Sequence, residues 1–243
     1  MQNSRVFFSL YAGAVLAVSI GELIPAPLLV ALCKPLSMPL LGIALWRTGR
    51  LSKRISKLFL IALGFAWIGD ILLLFAPDPH GPEALLGVKR DLTFFLAGVG
   101  SFLGTQVLYV ITFIHAPKHW PVGAPKWAYG VILLYGAGML GYLWHALGHP
   151  PDKAVLRLPV LLYGLTLLSM LGSALTRKGH VPKKSFWAVL IGAVCFVVSD
   201  TLIALNLLAW AEPLPGAGSL IFLLYGVAQY LIGVGLCQES EGT

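Results

Sequence analysis

The stretch FWAVLIGAVCFVVSDTLIALNLLAW, residues Phe186–Trp210, decides the fold of this protein. It contains a single charged side chain, Asp200. About 20 apolar residues are enough for a helix to cross the roughly 30 Å hydrocarbon core of a bilayer. Because lipid offers the backbone no water to bond, such a segment must satisfy its peptide groups internally as a helix. The stretch therefore predicts a transmembrane helix.

Similar apolar runs occur along the whole chain. The eight predicted spans are Val6–Gly21, Pro27–Trp46, Leu58–Ala76, Leu92–His115, Ala128–Leu147, Val155–Leu175, Phe186–Trp210 and Gly218–Cys237. Runs such as Ile71–Leu74 lack the apolar–polar alternation that a membrane barrel requires. We expect an all-α, polytopic transmembrane helix bundle of about eight spans, forming a single domain over residues 1–243.

The composition excludes most other classes of protein. Hydrophobic residues make up 58% of the chain and charged residues 11%, whereas a soluble domain carries about 25% charged residues. Intrinsic disorder requires the opposite balance of charge and hydrophobicity. The net charge of +7 comes from cations in short loops, so we expect no nucleic-acid partner. The bilayer is the expected environment, and no pattern specifies an oligomeric state.

The distribution of basic residues predicts the orientation. Twelve of the 17 Lys and Arg lie at one set of helix ends, which includes both termini, and four lie at the other set. Basic residues accumulate on the cytoplasmic side of membrane proteins. Both termini are therefore expected in the cytoplasm, and a bacterial protein of this kind would lie in the inner membrane.

Two segments allow more than one interpretation. The first span, with Arg5, the apolar run Val6–Leu16 and the small residues Ala17–Ser19, imitates a secretory signal peptide. We expect a retained helix because the basic region preceding it has a single Arg. The outward-facing connection Pro77–Asp91 is either a lid or only a turn-rich link, and its Pro and Gly content favours the link.

Polar residues inside the spans mark a candidate site. Lys34, Asp70 and Asp200 each lie within a span, where a charged residue costs about 2.5 to 3.5 kcal/mol on insertion scales. At 1.5 Å per residue, their depths from the outer helix ends are roughly 10, 9 and 15 Å. Tyr225 and Gln229 fall at roughly 10 and 16 Å on the same ruler. These five residues from four helices are expected to share one layer of the outer half of the bundle.

The two aspartates have similar settings. A small residue, Gly69 or Ser199, precedes each acid, and small residues allow helices to approach closely. An internal salt bridge from Lys34 to one aspartate would explain part of the pattern. One lysine does not neutralise two acids, however, so a functional cavity is the favoured interpretation. Asn206 lies roughly 120° around the helix from Asp200 and is expected to line the outer mouth of that cavity.

At these positions the chain resembles the YhhN-like lysoplasmalogenase family of membrane proteins. The matching pieces are Lys34-Pro35 in the second span, Gly69-Asp70 in the third, Ser199-Asp200 with Ile203-Ala204 and Asn206 in the seventh, and Tyr225 with Ala228-Gln229 in the eighth. The eight-span layout is also similar. Members of that family often carry a His in the fourth span before a nearby Tyr, where this chain has Gln106 before Tyr109.

The resemblance implies a hydrolase acting on a lysophospholipid substrate. It would cleave the vinyl ether bond of lysoplasmalogens to a fatty aldehyde and a glycerophospho-alcohol. The residues suit this reaction, because an enol ether is cleaved by protonation at carbon followed by capture of the oxocarbenium ion by water. Two acids in a low-dielectric site do not both ionise readily, so Asp70 and Asp200 can supply one protonated acid and one carboxylate, in an order left unassigned.

The remaining polar residues take supporting roles in this hypothesis. Lys34 would keep one of the two carboxylates charged. Tyr225, Gln229 and Asn206 would orient water and the headgroup. No metal or organic cofactor is required.

A second function class uses the same residues differently. In a proton-coupled secondary transporter of a small or lipid-like solute, Asp70 and Asp200 would carry protons and Lys34 would contact substrate. Paired Pro-interrupted helices would favour that class, but Pro35 and Pro39 interrupt one span only. A ligand-binding or structural membrane protein is the third alternative.

Overall fold

The computed structural model describes residues 2–50, 53–77, 84–115, 123–148, 151–210, 212 and 214–239. Eight long helices account for most of them. They are α1 (Gln2–Leu23), α2 (Pro27–Trp46), α3 (Lys53–Leu73), α4 (Leu92–Ile114), α5 (Lys126–Ala146), α6 (Arg157–Thr176), α7 (Lys183–Ala204) and α8 (Ala217–Glu239). The predicted all-α class is confirmed. A short 3₁₀ helix, Pro151–Leu156, precedes α6, and a π-helical turn, Leu205–Ala209, follows α7.

The surface of the described helices suits a bilayer. Within the described residues, seven helices are long and apolar enough to cross a membrane. Helix α3, whose first side chains are not among those described, is not included in the seven. Large apolar side chains point outward, such as Leu134 of α5, which is 77% exposed. Exposing such an apolar surface to water is unfavourable, whereas contact with lipid is not. The bundle is therefore that of an integral membrane protein.

Helix α8 lies at the centre of the bundle and α5 at its edge. More than half of the apolar stretch of α8 (56%) is buried inside the bundle, compared with 11% for α5. Helix α8 packs against α1, α2 and α7. Glycine allows the closest of these approaches, because a Cβ at Gly192 of α7 would lie 2.9 Å from the carbonyl oxygen of Ala228 on α8. The two helices thus meet backbone to backbone, as small residues permit in membranes.

The connection between α3 and α4 contains a small β-hairpin. Strands β1 (Ala84–Leu85) and β2 (Val88–Lys89) pair antiparallel. Leu86 and Gly87, at the turn between them, both have positive φ angles, which is typical of two-residue hairpin turns. The Leu85 side chain is buried, so the hairpin is anchored to the bundle. Residues 78–83 of the predicted Pro77–Asp91 connection lie outside the described residues.

Asp91 ends this connection and begins α4. Its Oδ1 accepts a hydrogen bond of 2.6 Å from the backbone N–H of Thr93, as an N-cap residue does. The hydrogen bonds from Thr93 hold the pKa of Asp91 below its usual value. The cap fixes the outer end of α4 next to the site described below.

An arginine closes the opposite end of the bundle. Arg177, directly after α6, is fully buried. Its Nη2 lies 2.9 Å from Glu239 Oε2 at the end of α8 and 3.0 Å from Ser185 Oγ at the start of α7. The guanidinium also lies 5.7 Å from the centroid of the Phe113 ring of α4. One side chain thus joins four helices far from the polar layer.

Candidate active site

Both intramembrane aspartates face the interior of the bundle. Asp70 is 2% exposed and Asp200 is 9% exposed. Each lies on the buried stripe of its helix, four residues after Ala66 on α3 and after Phe196 on α7, both fully buried. Residues four apart share one helix face, so the apolar stripes that pack α3 and α7 inward also carry the two acids inward. The charge of Asp70 also acts electrostatically on Asp200.

Asp70 has a tyrosine partner that is packed among other aromatic rings. The Tyr225 hydroxyl of α8 donates a hydrogen bond of 3.0 Å to Asp70 Oδ2. Phe102 and Phe196 each meet the Tyr225 ring edge to face, with centroids 5.7 Å apart. Such pairs fix ring orientation. Tyr225, which the sequence places in the same layer as the aspartates, contacts Asp70.

Lys34 lies near Asp70 without touching it. The ammonium is 5.6 Å from the centroid of the Phe222 ring and attracts the Asp70 carboxylate electrostatically. Across the described ranges, no salt bridge joins Lys34 to either aspartate. A direct salt bridge that fixes helix packing is therefore not what this lysine makes.

Asp200 has a different set of partners. Its Oδ2 accepts hydrogen bonds from the Tyr163 hydroxyl of α6 at 2.5 Å and from Gln106 Nε2 of α4 at 3.3 Å. The other oxygen, Oδ1, has no hydrogen-bond partner among the described side chains. The sequence analysis missed Tyr163, although a hydroxyl in the middle of an apolar span was a usable signal. It did single out Gln106.

Gln229 belongs to a separate polar contact deeper in the bundle. It is fully buried, and its Oε1 accepts a hydrogen bond from the Tyr109 hydroxyl. Tyr109 stacks between Phe59 and Phe113. In the part of the chain with described side chains, Gln229 hydrogen-bonds to neither aspartate. Its side chain interacts with that of Tyr225, one turn earlier on α8, and Tyr225 donates to Asp70.

A cavity of about 390 Å³ has a partly polar wall. We call it the outer cavity. Lys34 and Asn206 both line it, together with Glu22 and Arg90. Asn206 lies in the π-helical turn after α7, where its Oδ1 accepts a hydrogen bond of 2.6 Å from the backbone N–H of Leu214. The structure thus brings Lys34 and Asn206 to one cavity.

Two smaller pockets reach Asp200 from the sides. One, of about 60 Å³, lies between α4, α6 and α7 and has apolar walls apart from Tyr163 and Asp200; we call it the apolar pocket. It shares Leu73, Phe95 and Ile203 with the outer cavity, so the two adjoin. The other, of about 50 Å³, lies between α5, α6 and α7 and also ends at Tyr163 and Asp200. Asp70, Tyr225 and Gln229 line none of these three.

Comparison with known proteins gives a family to this arrangement. The sequence model of the YhhN family matches residues 29–236. This chain belongs to the YhhN family. The match includes the helices that carry both aspartates, whereas α1 lies before it. Both buried aspartates and their tyrosine partners therefore lie within the matched region.

Two curated relatives carry enzyme names. The chain is similar to lysoplasmalogenase TMEM86B of Sus scrofa, with 34% identity over 147 residues, which is 60% of this chain and 56% of that protein. It is also similar to lysoplasmalogenase TMEM86B of Homo sapiens, with 33% identity over 139 residues, 57% of this chain and 52% of that protein. The match thus spans a little more than half the length of these relatives. No solved structure matches the chain. Neither relative is named as a carrier, so the comparisons do not favour the transporter alternative.

Proposed function

We propose that this YhhN-family protein is a membrane-embedded hydrolase that cleaves the vinyl ether bond of lysoplasmalogens. The products are a fatty aldehyde and a glycerophospho-alcohol. Two findings support the proposal: the enzyme names of the relatives and a buried carboxyl group at the end of an apolar pocket.

The observation that carries the proposal is the asymmetry of the Asp200 carboxyl. Tyr163 and Gln106 both donate to Oδ2, which leaves Oδ1 to hold a proton. Asp200 lines the apolar pocket, and apolar surroundings favour the neutral acid over the carboxylate. A vinyl ether is an apolar group, so it can enter such a pocket and meet this proton directly.

The reaction follows from that placement. Asp200 donates its proton to the alkenyl carbon that is not bonded to oxygen, and an oxocarbenium ion forms. Water adds to the carbon next to the ether oxygen and returns a proton to Asp200, which gives a hemiacetal. Breaking the bond between that carbon and the ether oxygen, with proton transfer to this oxygen, releases the aldehyde and the glycerophospho-alcohol. Positioned acids of this kind typically contribute 10²–10⁴-fold to a rate.

Asp70 serves as the second carboxylate in this scheme. It lines none of the three cavities, but it is electrostatically coupled to Asp200. Burial opposes a charge on both acids, but Lys34 attracts the Asp70 carboxylate and is not among the groups that act on Asp200. We therefore assign the ionised role to Asp70, whose charge would stabilise the cationic intermediate. Fixed charges aimed at a developing charge are effective in a water-excluded site.

The cavities suggest how the substrate lies. The outer cavity would take the glycerophospho headgroup, with Lys34 and Asn206 on its wall. The apolar pocket would take the start of the alkenyl chain. Because the two adjoin at Phe95 and Ile203, the vinyl ether bond falls between them, near Asp200. In this arrangement Gln229 does not contact the substrate. Its role is to position Tyr225, which lies on the same helix.

The direct test is aldehyde release by the purified full-length protein in detergent or nanodiscs. We expect aldehyde from a 1-alkenyl lysophospholipid. We expect none from the matched 1-alkyl or 1-acyl lysophospholipid, because neither contains a double bond that carbon protonation can activate. Aldehyde formation that Asp200→Asn leaves unimpaired, or hydrolysis of the acyl lipid instead, would overturn the proposed reaction.

We also propose that both termini lie in the cytoplasm, with the outer cavity facing the other side of the membrane. The support is the excess of Lys and Arg at the helix ends that share a side with the termini. Alkaline phosphatase and green fluorescent protein fused in parallel to the C-terminus test this in a bacterial host. We expect fluorescence and no phosphatase activity; the reverse pattern contradicts the orientation.

A further inference from the structure

The outer cavity carries both signs of charge on its wall. Lys34 of α2 and Arg90 before α4 are its cations, and Glu22 near the end of α1 is an acid on the same wall. A cavity built only to attract the phosphate of a lipid would gain nothing from a carboxylate. The proposed function gives this acid no role, and Glu22 precedes the part of the chain that the family model matches.

Glu22 is placed to receive a cation. It is half-buried, and within the described ranges its carboxylate makes no hydrogen bond or ion pair. Gly218 opposite it has no side chain, and a Cβ there would lie 2.5 Å from Glu22 Oε2. The absence of that Cβ leaves the carboxylate room against the start of α8.

Depth along the helices separates Glu22 from Lys34. Glu22 lies one residue before the end of α1, at the outer rim. Lys34 lies seven residues into α2 from Pro27, roughly 10 Å deeper at 1.5 Å per residue. A ligand that fills this cavity therefore meets a carboxylate at the rim and an ammonium further in.

We propose that Glu22 is a headgroup-selecting residue: it binds the cationic amine of a zwitterionic lysophospholipid, while the deeper Lys34 attracts the phosphate. This inference rests on the proposed function. The order of charges matches the order of groups in such a lipid, with the amine outermost, the phosphate next and the chain deepest. The chain end of the outer cavity adjoins the apolar pocket at Leu73, so a lipid held in this order presents its ether bond towards Asp200.

The test compares headgroups on one alkenyl chain. Aldehyde release is measured with an ethanolamine headgroup and with a phosphate monoester, for wild type, Glu22→Gln and the control Glu212→Gln. Glu212 is exposed in the loop before α8 and does not line the outer cavity. Loss of a charged hydrogen bond costs a factor of about ten or more. We expect Glu22→Gln to lower kcat/KM about tenfold for ethanolamine, chiefly through KM, and to leave the monoester unchanged or improved.

A charge-reversed variant and a binding measurement complete the test. Glu22→Lys should favour the monoester over ethanolamine, while its thermal melting and elution by size exclusion show that it remains folded. Affinity for 1-alkyl lysophosphoethanolamine and 1-alkyl lysophosphatidic acid, which are not turned over, is measured in parallel. If binding shows the same headgroup preference but no aldehyde is released from the alkenyl lipids, the headgroup site is supported and the proposed reaction is refuted. Equal losses for both headgroups, or no change in either variant, overturn the selecting role of Glu22.

Discussion

Asp70 and Asp200 are alike along the chain and different in the molecule. Each follows a small residue on a parallel helix, and each is buried. Asp70 lies behind Tyr225 and lines no described cavity, whereas Asp200 lines two pockets. The difference teaches that burial alone does not identify the reacting acid. In the proposed reaction, access from an apolar space distinguishes the two acids, because the substrate bond has to reach the proton.

The largest expected effect separates the two acids directly. Asp200→Asn removes the proposed proton donor and should lower kcat for aldehyde release by about 10³-fold. Asp70→Asn removes a charge that acts at a distance and should cause a clearly smaller loss. Both rates are measured on protein whose folding is checked by size exclusion. A greater loss from Asp70→Asn would reverse the roles we assign to the two carboxylates.

The tyrosine partners sharpen the same comparison. Tyr163→Phe removes the donor to Asp200 Oδ2 and should lower kcat about 10- to 100-fold, since a hydrogen bond to a group of changing charge is worth about 1.5 to 3 kcal/mol. Tyr225→Phe removes the donor to Asp70 and should cost less. Steady-state kinetics on the alkenyl lipid checks both. Equal losses would show that the two sides of the site contribute alike.

The glutamines give a third pair. Gln106→Leu removes a hydrogen bond to Asp200 and should reduce activity about tenfold, while Gln106→His retains a donor and should keep most of it. Gln229→Leu leaves the buried Tyr109 hydroxyl without its acceptor, so it should destabilise the fold by about 1 to 3 kcal/mol with little change in kcat. Activity and unfolding are measured on the same preparations. Full activity in Gln106→Leu would remove this residue from the site.

The small residues before the acids give the smallest difference. A Cβ at Gly69 would lie 2.7 Å from Phe102 Cε2, so Gly69→Ala should cost about 1 to 3 kcal/mol of stability. Ser199→Ala loses one hydrogen bond, of 3.0 Å to the carbonyl oxygen of Ile221, and should cost about 1 kcal/mol. Thermal unfolding in one detergent ranks the two. A neutral Gly69→Ala would mean that Phe102 moves at no cost.

The sequence predicted the helices well and the connections less well. Lipid forces an apolar run to form a helix. Seven of the eight predicted spans therefore overlap helices that are apolar and long enough to cross a membrane. The remaining span, Leu58–Ala76, overlaps α3. The hairpin around Leu86 and the π-helical turn at Asn206 were not predicted. Local conformations of this kind depend on neighbouring helices, and the apolar pattern does not record them.

The charged and amide residues of the site were visible in the sequence because a polar side chain in an apolar run is conspicuous. Tyr163 carried a weaker signal of the same kind, a hydroxyl within an apolar span, and only the fold places that hydroxyl 2.5 Å from Asp200. Arg177 is a similar case at the other end of the bundle, where an apparent loop cation is fully buried against Glu239.

By itself, the amino-acid sequence determined that this chain crosses a membrane as helices and that two acids lie within them. Hydrophobic length and the cost of charge in lipid are properties of single segments, so no tertiary information was needed. The tertiary structure alone decided which acid faces a cavity, which tyrosine serves each acid, and that Glu22 and Lys34 share one wall. Those facts depend on how helices distant in sequence rotate and pack against one another, which is set by side-chain contacts across the bundle.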